Sequence, residues 1–314
     1  MLDKPRGPTS HDVVAIVRRA LKTREVGHAG TLDPMATGVL VLAIGEATKL
    51  VPYLTSAAKR YEARVLLGTG TDTLDALGKV VEEQEVDPEL REALDRWPEG
   101  ASPRLVSALA AELARTSQDP PIFSAIQQNG ERAYARARRG ETVTIDARPV
   151  RVHELTVTAA AGTPSAWIDV RVQADKGYYV RALGRDLALG LGTVGHLTAL
   201  RRTDSGGFVD SDAVSLDAPR EEIESHLIPL ATAARRALPS VSLTEAGVRD
   251  ARCGKLVRLQ DFIGLELATT GEACAWFDGT GELVAIGIVG GVEGEEGGRV
   301  LRGFLPQPTC DDQR

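Results

Sequence analysis

The chain has 314 residues, 43% hydrophobic and 26% charged, with a formal net charge of −7. That length suggests roughly two domains, and that balance an ordinary soluble globular protein. No apolar run approaches the ~20 residues of a membrane span, and Asp3, Lys4 and Arg6 interrupt any signal-peptide pattern at once. The cysteines Cys253, Cys274 and Cys310 are odd in number and lie in no paired metal spacing, which argues for a reducing cytosol without a disulfide framework or a zinc site.

The net acidity is unevenly spread. Residues 82–99 hold Glu82, Glu83, Glu85, Asp87, Glu89, Glu92, Asp95 and Glu99 against Arg91 and Arg96. Basic residues cluster elsewhere: Lys4, Arg6, Arg18, Arg19, Lys22 and Arg24; then Arg132, Arg136, Arg138 and Arg139; then Arg181, Arg185, Arg201 and Arg202. Any one cluster reads as a solvated face. Three that flank the motifs below read as a polyanion site.

Along the chain, Thr9-x-x-Asp12 is a capping-box pattern opening a helix with Val14, Val17 and Leu21 at helical spacing. Gly27-His28-Ala29-Gly30-Thr31-Leu32-Asp33-Pro34-Met35-Ala36-Thr37-Gly38 is too rich in turn formers for a helix or strand. The apolar run Val39–Ile44 after it predicts one buried strand, followed by a short helical stretch from Glu46 to about Leu54. Asp33 therefore sits on a loop anchored to the core, where catalysis tends to lie. The bland reading of Asp-Pro is an Asx-turn, with the carboxylate capping local N–H groups.

Tyr61, Ala63, Val65 and Leu67 alternate with Glu62 and Arg64, a strand with one buried face. Ser102-Pro103 starts a helix carrying Leu105, Leu109 and Leu113. Asn129-Gly130 is a tight-turn signal, after which Arg132–Arg139 reads as a short basic helix stopped by Gly140. Strands are expected at about 150–157 and 166–174, a helix bearing Tyr179, Leu183 and Leu187, and a strand over His196–Leu200. A helix near 220–237 precedes a small β-rich module at about 240–305, with strands at Ala273–Phe277, Leu283–Val289 and Val300–Leu305, and a frayed tail from Gln307. The pattern is mixed α+β, with no Walker or dinucleotide glycine motif.

The string from Gly27 through Leu40, with Gly45-Glu46-Ala47-Thr48-Lys49, resembles the catalytic motif of the TruB-type pseudouridine synthases. Asp3-Lys4-Pro5-Arg6-Gly7-Pro8-Thr9-Ser10-His11-Asp12-Val13-Val14, Lys59-Arg60-Tyr61-Glu62-Ala63, Gly70–Gly78, Lys176-Gly177-Tyr178-Tyr179-Val180-Arg181 and Leu200-Arg201-Arg202 resemble the family's other motifs, in the family's order over roughly residues 2–208. The resemblance implies the α+β pseudouridine-synthase fold, a mixed, largely antiparallel sheet with flanking helices. It divides the chain into a catalytic domain at 1–238, a PUA-like domain at 239–306 and a tail at 307–314. The apolar stretch that normally precedes Asp-Lys-Pro in the family does not stand before Asp3, so either a shortened first strand with an altered cleft edge or a misassigned start codon is expected.

Pseudouridine formation detaches uracil from C1′ and rejoins it through C5, which needs an ionised carboxylate but no redox cofactor or metal. By resemblance Asp33 is that group and Arg181 its cationic partner, since an unpaired buried carboxylate would be unfavourable; the alternative for Arg181 is a phosphate or surface contact. The family's flipped base would stack on Tyr61, a candidate for proton transfer from the sugar, with Tyr179 and Leu200 lining the other side and His28 filling the vacated space. Periodicity alone would place Tyr61, Tyr179 and Leu200 in the core, and a lone loop histidine is usually a surface group.

Residues 120–151 resemble the thumb insertion of stand-alone bacterial enzymes, with Phe123 where the family has a tyrosine and Gln128 where lysine is common. This implies the T-arm of tRNA as partner, at uridine 55, with Lys4, Arg132, Arg136, Arg139 and Arg202 on the RNA backbone. A cytoplasmic monomer without cofactor, membrane association or obligate protein partner is expected. The alternatives are the catalytic subunit of a guide-RNA complex, or a tRNA-folding protein with secondary catalysis.

Overall fold

In a computed structural model of the chain, residues 1–100, 102–124, 127–128, 131–132, 139, 145–265, 269–290 and 297–305 are described. The first strand, β1 (Leu2–Lys4), is three residues long. Helix α1 (Ser10–Ala20) begins at a complete capping box: the Thr9 N–H donates to Asp12 Oδ2 (2.8 Å) and the Asp12 N–H to Thr9 Oγ1 (3.1 Å). Val13, Val14 and Val17 form its buried stripe.

The expected strand over 39–44 is two strands. After β2 (Val26–His28), β3 (Thr37–Leu40) and β4 (Leu42–Ile44) part at Val41 and join different sheets. Val41 gives its carbonyl to the Ala29 N–H (2.9 Å). All six residues are apolar, so hydropathy could not mark the change of partner. A 3-10 turn (Gly45–Leu50) and α2 (Val51–Ser56) follow.

Next come β5 (Lys59–Leu67), β6 (Thr69–Thr71) and β7 (Val80–Glu83). The acidic stretch contains α3 (Pro88–Asp95), capped by Asp87. Helix α4 (Pro103–Leu113) is capped by Ser102, as its sequence predicts. Its expected apolar stripe fails at the end: Leu113 is exposed, and Glu112 is buried because the Tyr178 hydroxyl (2.7 Å) and Arg115 Nε (2.6 Å) donate to its carboxylate.

Short strands β8 (Ser117–Gln118), β9 (Gln127–Gln128), β10 (Glu131–Arg132) and β11 (Arg148–Pro149) pair as β8–β11 and β9–β10. Arg132 thus ends a strand rather than opening a helix; the remainder of the expected basic helix, including Arg136, lies outside the described residues except for the exposed Arg139. Strands β12 (Val152–Ala161) and β13 (Trp167–Ala174), helix α5 (Val180–Gly190), and strands β14 (Gly195–Ser205) and β15 (Val214–Ser215) complete this part of the chain.

The chain divides into two compact units. One comprises Met1–Val13, Thr31–Leu40 and Ser56–Leu216; the other comprises Val14–Gly30, Val41–Thr55 and Asp217–Arg314. The first is built on a seven-stranded sheet of order β12-β13-β5-β14-β3-β1-β15. It is mixed but mostly antiparallel, with β14–β3 and β1–β15 the parallel pairs. One face carries Val65, Ile168, Val170 and Val172, each at most 1% exposed, as strand alternation requires. Helix α5 lies close on this face: a side chain at Gly184 would meet Leu197 at 2.9 Å. The other face holds exposed cross-strand ion pairs such as Arg64–Asp169 (2.7 Å) and Arg171–Glu62 (2.9 Å).

In the second unit, the helix expected near 220–237 is broken into α6 (Arg220–Ser225) and α7 (Leu230–Ala237), with Pro229 at the N-cap of α7. Proline disfavours helical backbone in the residue before it and lacks the N–H a continuous helix would use. Strand β16 (Ser240–Leu243), helix α8 (Glu245–Arg252) and strands β17 (Val257–Arg258), β18 (Phe262–Ile263), β19 (Ala273–Phe277), β20 (Leu283–Val289) and β21 (Gly297–Gly303) follow. They form a six-stranded sheet of order β17-β21-β20-β19-β16-β18. Its outermost strands, β17 and β18, are separated in sequence only by the 3-10 turn Leu259–Asp261. The sheet therefore curls into a nearly closed, PUA-like barrel.

Candidate active site

Asp33 lies on the loop between β2 and β3. Its backbone carbonyl accepts the Ala36 N–H (3.0 Å), closing a turn with Pro34 at the second position. The carboxylate turns instead to Arg181, with Oδ2 2.8 Å from Nε and Oδ1 accepting from Nη2 at 3.1 Å. The Nε–H is not aligned on Oδ2, so the contact is an ion pair with one good hydrogen bond rather than a bidentate fork. The Asp33 side chain keeps 33% of its surface and that of Arg181 only 5%. The carboxylate thus opens to solvent while its cation stays within the protein.

Several contacts pin the loop. Ser10 Oγ accepts the Leu32 N–H (2.9 Å), and the Gly7 N–H donates to the Pro34 carbonyl (2.8 Å). Lys4, with no exposed surface, donates to the carbonyls of Ala36 (2.7 Å) and Pro5 (3.0 Å). Burial lowers its pKa to about 8; Asp33 opposes that shift and Arg202 adds to it. Arg202 is also fully buried, its Nε donating to the Val39 carbonyl (2.8 Å). At Gly38, opposite Arg202 in the β14–β3 pair, φ is +98°, and a side chain would collide with the Arg202 backbone.

These placements correct the expectation that Lys4 and Arg202 grip the RNA backbone. Neither cation presents surface to a phosphate: Lys4 donates to several main-chain carbonyls and Arg202 Nε to that of Val39. They hold the Asp33 loop and the strand that leaves it.

Arg181 is the second residue of α5, after the Gly177 turn (φ +87°). Besides Asp33 it donates to the carbonyls of Thr73 (2.9 Å) and Phe123 (2.9 Å), and Nη1 lies 4.0 Å from Asp75 Oδ2. Asp75 is buried, its Oδ1 accepting from Thr73 Oγ1 (2.7 Å) and the Leu77 N–H (3.0 Å). Leu74 beside it has φ +61°, an unfavourable conformation for leucine, held by hydrogen bonds from its own N–H to Thr71 O (3.1 Å) and from Leu197 N–H to its carbonyl (3.1 Å). Arg181 therefore stands between two carboxylates.

Asp75 was not singled out by sequence. The signal that flagged Asp33, a carboxylate in a Thr/Gly-rich turn, is present in Gly70–Gly78 as well.

Tyr61 is half-buried on β5, opposite Val172 and Arg202, on the same sheet face as Ala63. Leu200 pairs with Ala63 on that face and is 6% exposed. Tyr179 caps α5, half-buried, its hydroxyl pKa raised by burial. Asp33, Tyr61, Tyr179, Arg181 and Leu200 all belong to the first compact unit, whereas His28, on β2 opposite Leu42, belongs to the second. A concavity of about 570 Å³ lies on the opposite, ion-paired face of the sheet, against Glu62, Arg64, Arg171 and Arg201. Among the described residues no group of three or more His, Cys, Asp or Glu could hold a metal ion.

Comparison with known proteins bears on the family. Residues 18–180 match the TruB family pseudouridylate synthase (N terminal domain). The chain is 43% identical over 290 residues to tRNA pseudouridine synthase B of Arthrobacter sp. (strain FB24), covering 91% of this chain and 90% of the relative. It is 45% identical over 254 residues to the protein of that name from Thermobifida fusca (strain YX), covering 79% and 82%. Among solved structures, a chain of a Cbf5-Nop10-Gar1 complex superposes with a TM-score of 0.71 at 25% identity, covering 97% of this chain and 84% of that one. With a family match over residues 18–180 and relatives at 43% and 45% identity, the chain belongs to the TruB family of pseudouridylate synthases.

Proposed function

We propose that this protein isomerises uridine 55 in the T-loop of tRNA to pseudouridine. The observation that carries the reading is the Asp33 carboxylate, turned out of its own turn and held by a buried arginine. In the reaction the C1′–N1 bond of uridine breaks and a C1′–C5 bond forms. The C5 hydrogen leaves as a proton and N1 gains one, so neither oxidant nor second substrate is needed. Arg181 holds the Asp33 carboxylate and orients it toward the flipped nucleotide. Tyr61 stacks on the base and is the candidate for proton transfer from the sugar, with Tyr179, Leu200 and His28 as further substrate contacts.

Residues 1–238 serve as the catalytic domain, with the thumb-like insertion at about 120–151, and 239–306 as the PUA-like domain. Arg132, Arg136 and Arg139 contact the RNA backbone electrostatically. The protein acts as a cytoplasmic monomer without an obligate protein partner. The relatives over nine-tenths of the chain bear the name of a tRNA enzyme, which favours this reading over a guide-RNA subunit.

The test is tritium release from a tRNA transcript labelled at C5 of uridine. Release by the wild type, none by Asp33→Asn and tRNA binding by both are expected. Wild-type inactivity on bare tRNA overturns the substrate assignment; full turnover by Asp33→Asn overturns the mechanism.

A further inference from the structure

Gln118 is 2% exposed, yet its side chain is fully engaged with main chain. Its Oε1 accepts the Tyr179 N–H at 2.9 Å and its Nε2 donates to the Tyr179 carbonyl at 3.2 Å. A residue whose N–H and C=O are both taken by one partner is bonded as in an antiparallel strand pair, and here a side-chain amide supplies that partner. Tyr179 is the N-cap of α5 and has no side-chain cap of its own. Its carbonyl also accepts the first helical bond, from the Leu183 N–H (3.1 Å). Gln118 therefore fixes where α5 begins, and Arg181 lies two residues further on.

The same segment holds the arginine at its other end. The Phe123 carbonyl accepts from Arg181 Nη2 (2.9 Å), and the Asp119 carbonyl accepts from Arg185 Nη2 (3.2 Å), one turn along the helix. The backbone of Gln118 pairs with Arg148 in β8–β11, at the base of the thumb-like insertion.

We propose that Gln118 is a positioning residue for the reaction. It registers the start of α5, and hence the Arg181 guanidinium, against Asp33, and ties that register to the base of the insertion. The inference rests on the proposed isomerisation. A residue that only stabilised the fold would lower stability when removed and leave the chemical step of the folded enzyme unchanged.

The experiment measures single-turnover tritium release with enzyme in excess, tRNA affinity and the thermal midpoint. Gln118→Ala is expected to slow release about 100-fold, the scale of a small misplacement of a catalytic group, with tRNA affinity within about threefold. Gln118→Glu, which keeps the acceptor and loses the donor, falls between. Gln118→Met keeps the volume and drops both bonds, and gives the same reading should the alanine variant fail to fold. In an Arg181→Met background the same substitution should alter the residual rate less than about threefold, because both act through one group. An unchanged rate in a folded Gln118 variant, or an equal fold-loss in both backgrounds, overturns the proposal.

One readout is independent of substrate. The Arg181 Nε–H resonance, identified by its loss in Arg181→Met, should shift in Gln118→Ala, and no shift overturns the positioning role. Wild-type inactivity on tRNA bears only on the proposed function.

Discussion

The interior beside the seven-stranded sheet and the interior of the six-stranded barrel are filled with different material. The first encloses Lys4, Lys59, Asp75, Glu112, Arg181 and Arg202. The barrel encloses Trp276, Phe262, Val257, Val284 and Leu243, and among the described residues Asp261 is its one buried charged group. A barrel core of this kind draws its stability from apolar area and close packing. Buried ion pairs contribute little net stability, because desolvation offsets their attraction, but they fix geometry. Four of the six buried charges, Lys4, Asp75, Arg181 and Arg202, contact the Asp33 loop, the strand that leaves it or Asp33's arginine.

Breaking the comparison starts at the largest effect. Trp276→Ala removes a side chain with no exposed surface that packs edge-on to Phe262, centroids 5.0 Å apart. It should lower the stability of the second unit by about 3–5 kcal/mol, read by chemical denaturation; a loss below about 1 kcal/mol would mean that the barrel does not depend on its apolar core. Arg181→Met should slow tritium release by about 10²- to 10³-fold, the range for removing one preorganised electrostatic stabiliser, while tRNA binding persists. Asp75→Asn keeps the bonds from Thr73 and Leu77 and deletes only the charge 4.0 Å from Arg181. A loss of about tenfold in release is expected, from weaker restraint of the guanidinium; an unchanged rate would remove Asp75 from the machinery.

The buried lysines make the comparison pH-dependent. Burial lowers both Lys4 and Lys59 to about 8, whereas an unfolded lysine titrates near 10.4. Between these values the unfolded chain binds more protons, so these groups make stability rise with pH from about 8 to 10. Tyr178 opposes them at the top of the window. Burial raises its hydroxyl, so the unfolded chain loses that proton first above about 10 and stability then falls. Denaturation midpoints at stepped pH should rise and then turn over, and Lys4→Met should flatten the rise. The smallest effect belongs to the exposed sheet face. Arg64→Ala removes a surface pair with Asp169 and a stack 3.9 Å over Trp167, and should lower stability by about 1 kcal/mol or less.

Local patterns were legible. The Thr9–Asp12 capping box, the Ser102 cap, the alternation along β13 and the turn around Asp33 each follow from residues a few positions apart, and each folds as it reads. What escaped depends on distant partners. Val39–Ile44 could not announce that Val41 would divide it between sheets. Glu112 enters the core because Tyr178, far along the chain, points at it, and Gln118 matters through a tyrosine equally remote. Lys4 and Arg202 read as surface charge because the carbonyls of Ala36 and Val39, to which they donate, come from other segments. Arg202 did carry a clue, standing in strand phase with the buried Leu200. The break before α7 was also written in the sequence, as Pro229.

The placement of the three tryptophans gives the molecule a built-in optical label. Trp276 is sealed from water, its indole Nε1 3.1 Å from Cys274 Sγ, whereas Trp97 and Trp167 are half-exposed. A sealed indole emits at shorter wavelength and moves to the red on contact with water; half-exposed ones move less. A red shift on heating or in denaturant therefore follows the opening of the barrel, while tritium release follows the unit that holds Asp33. The two halves of the molecule can be watched separately without labelling the protein.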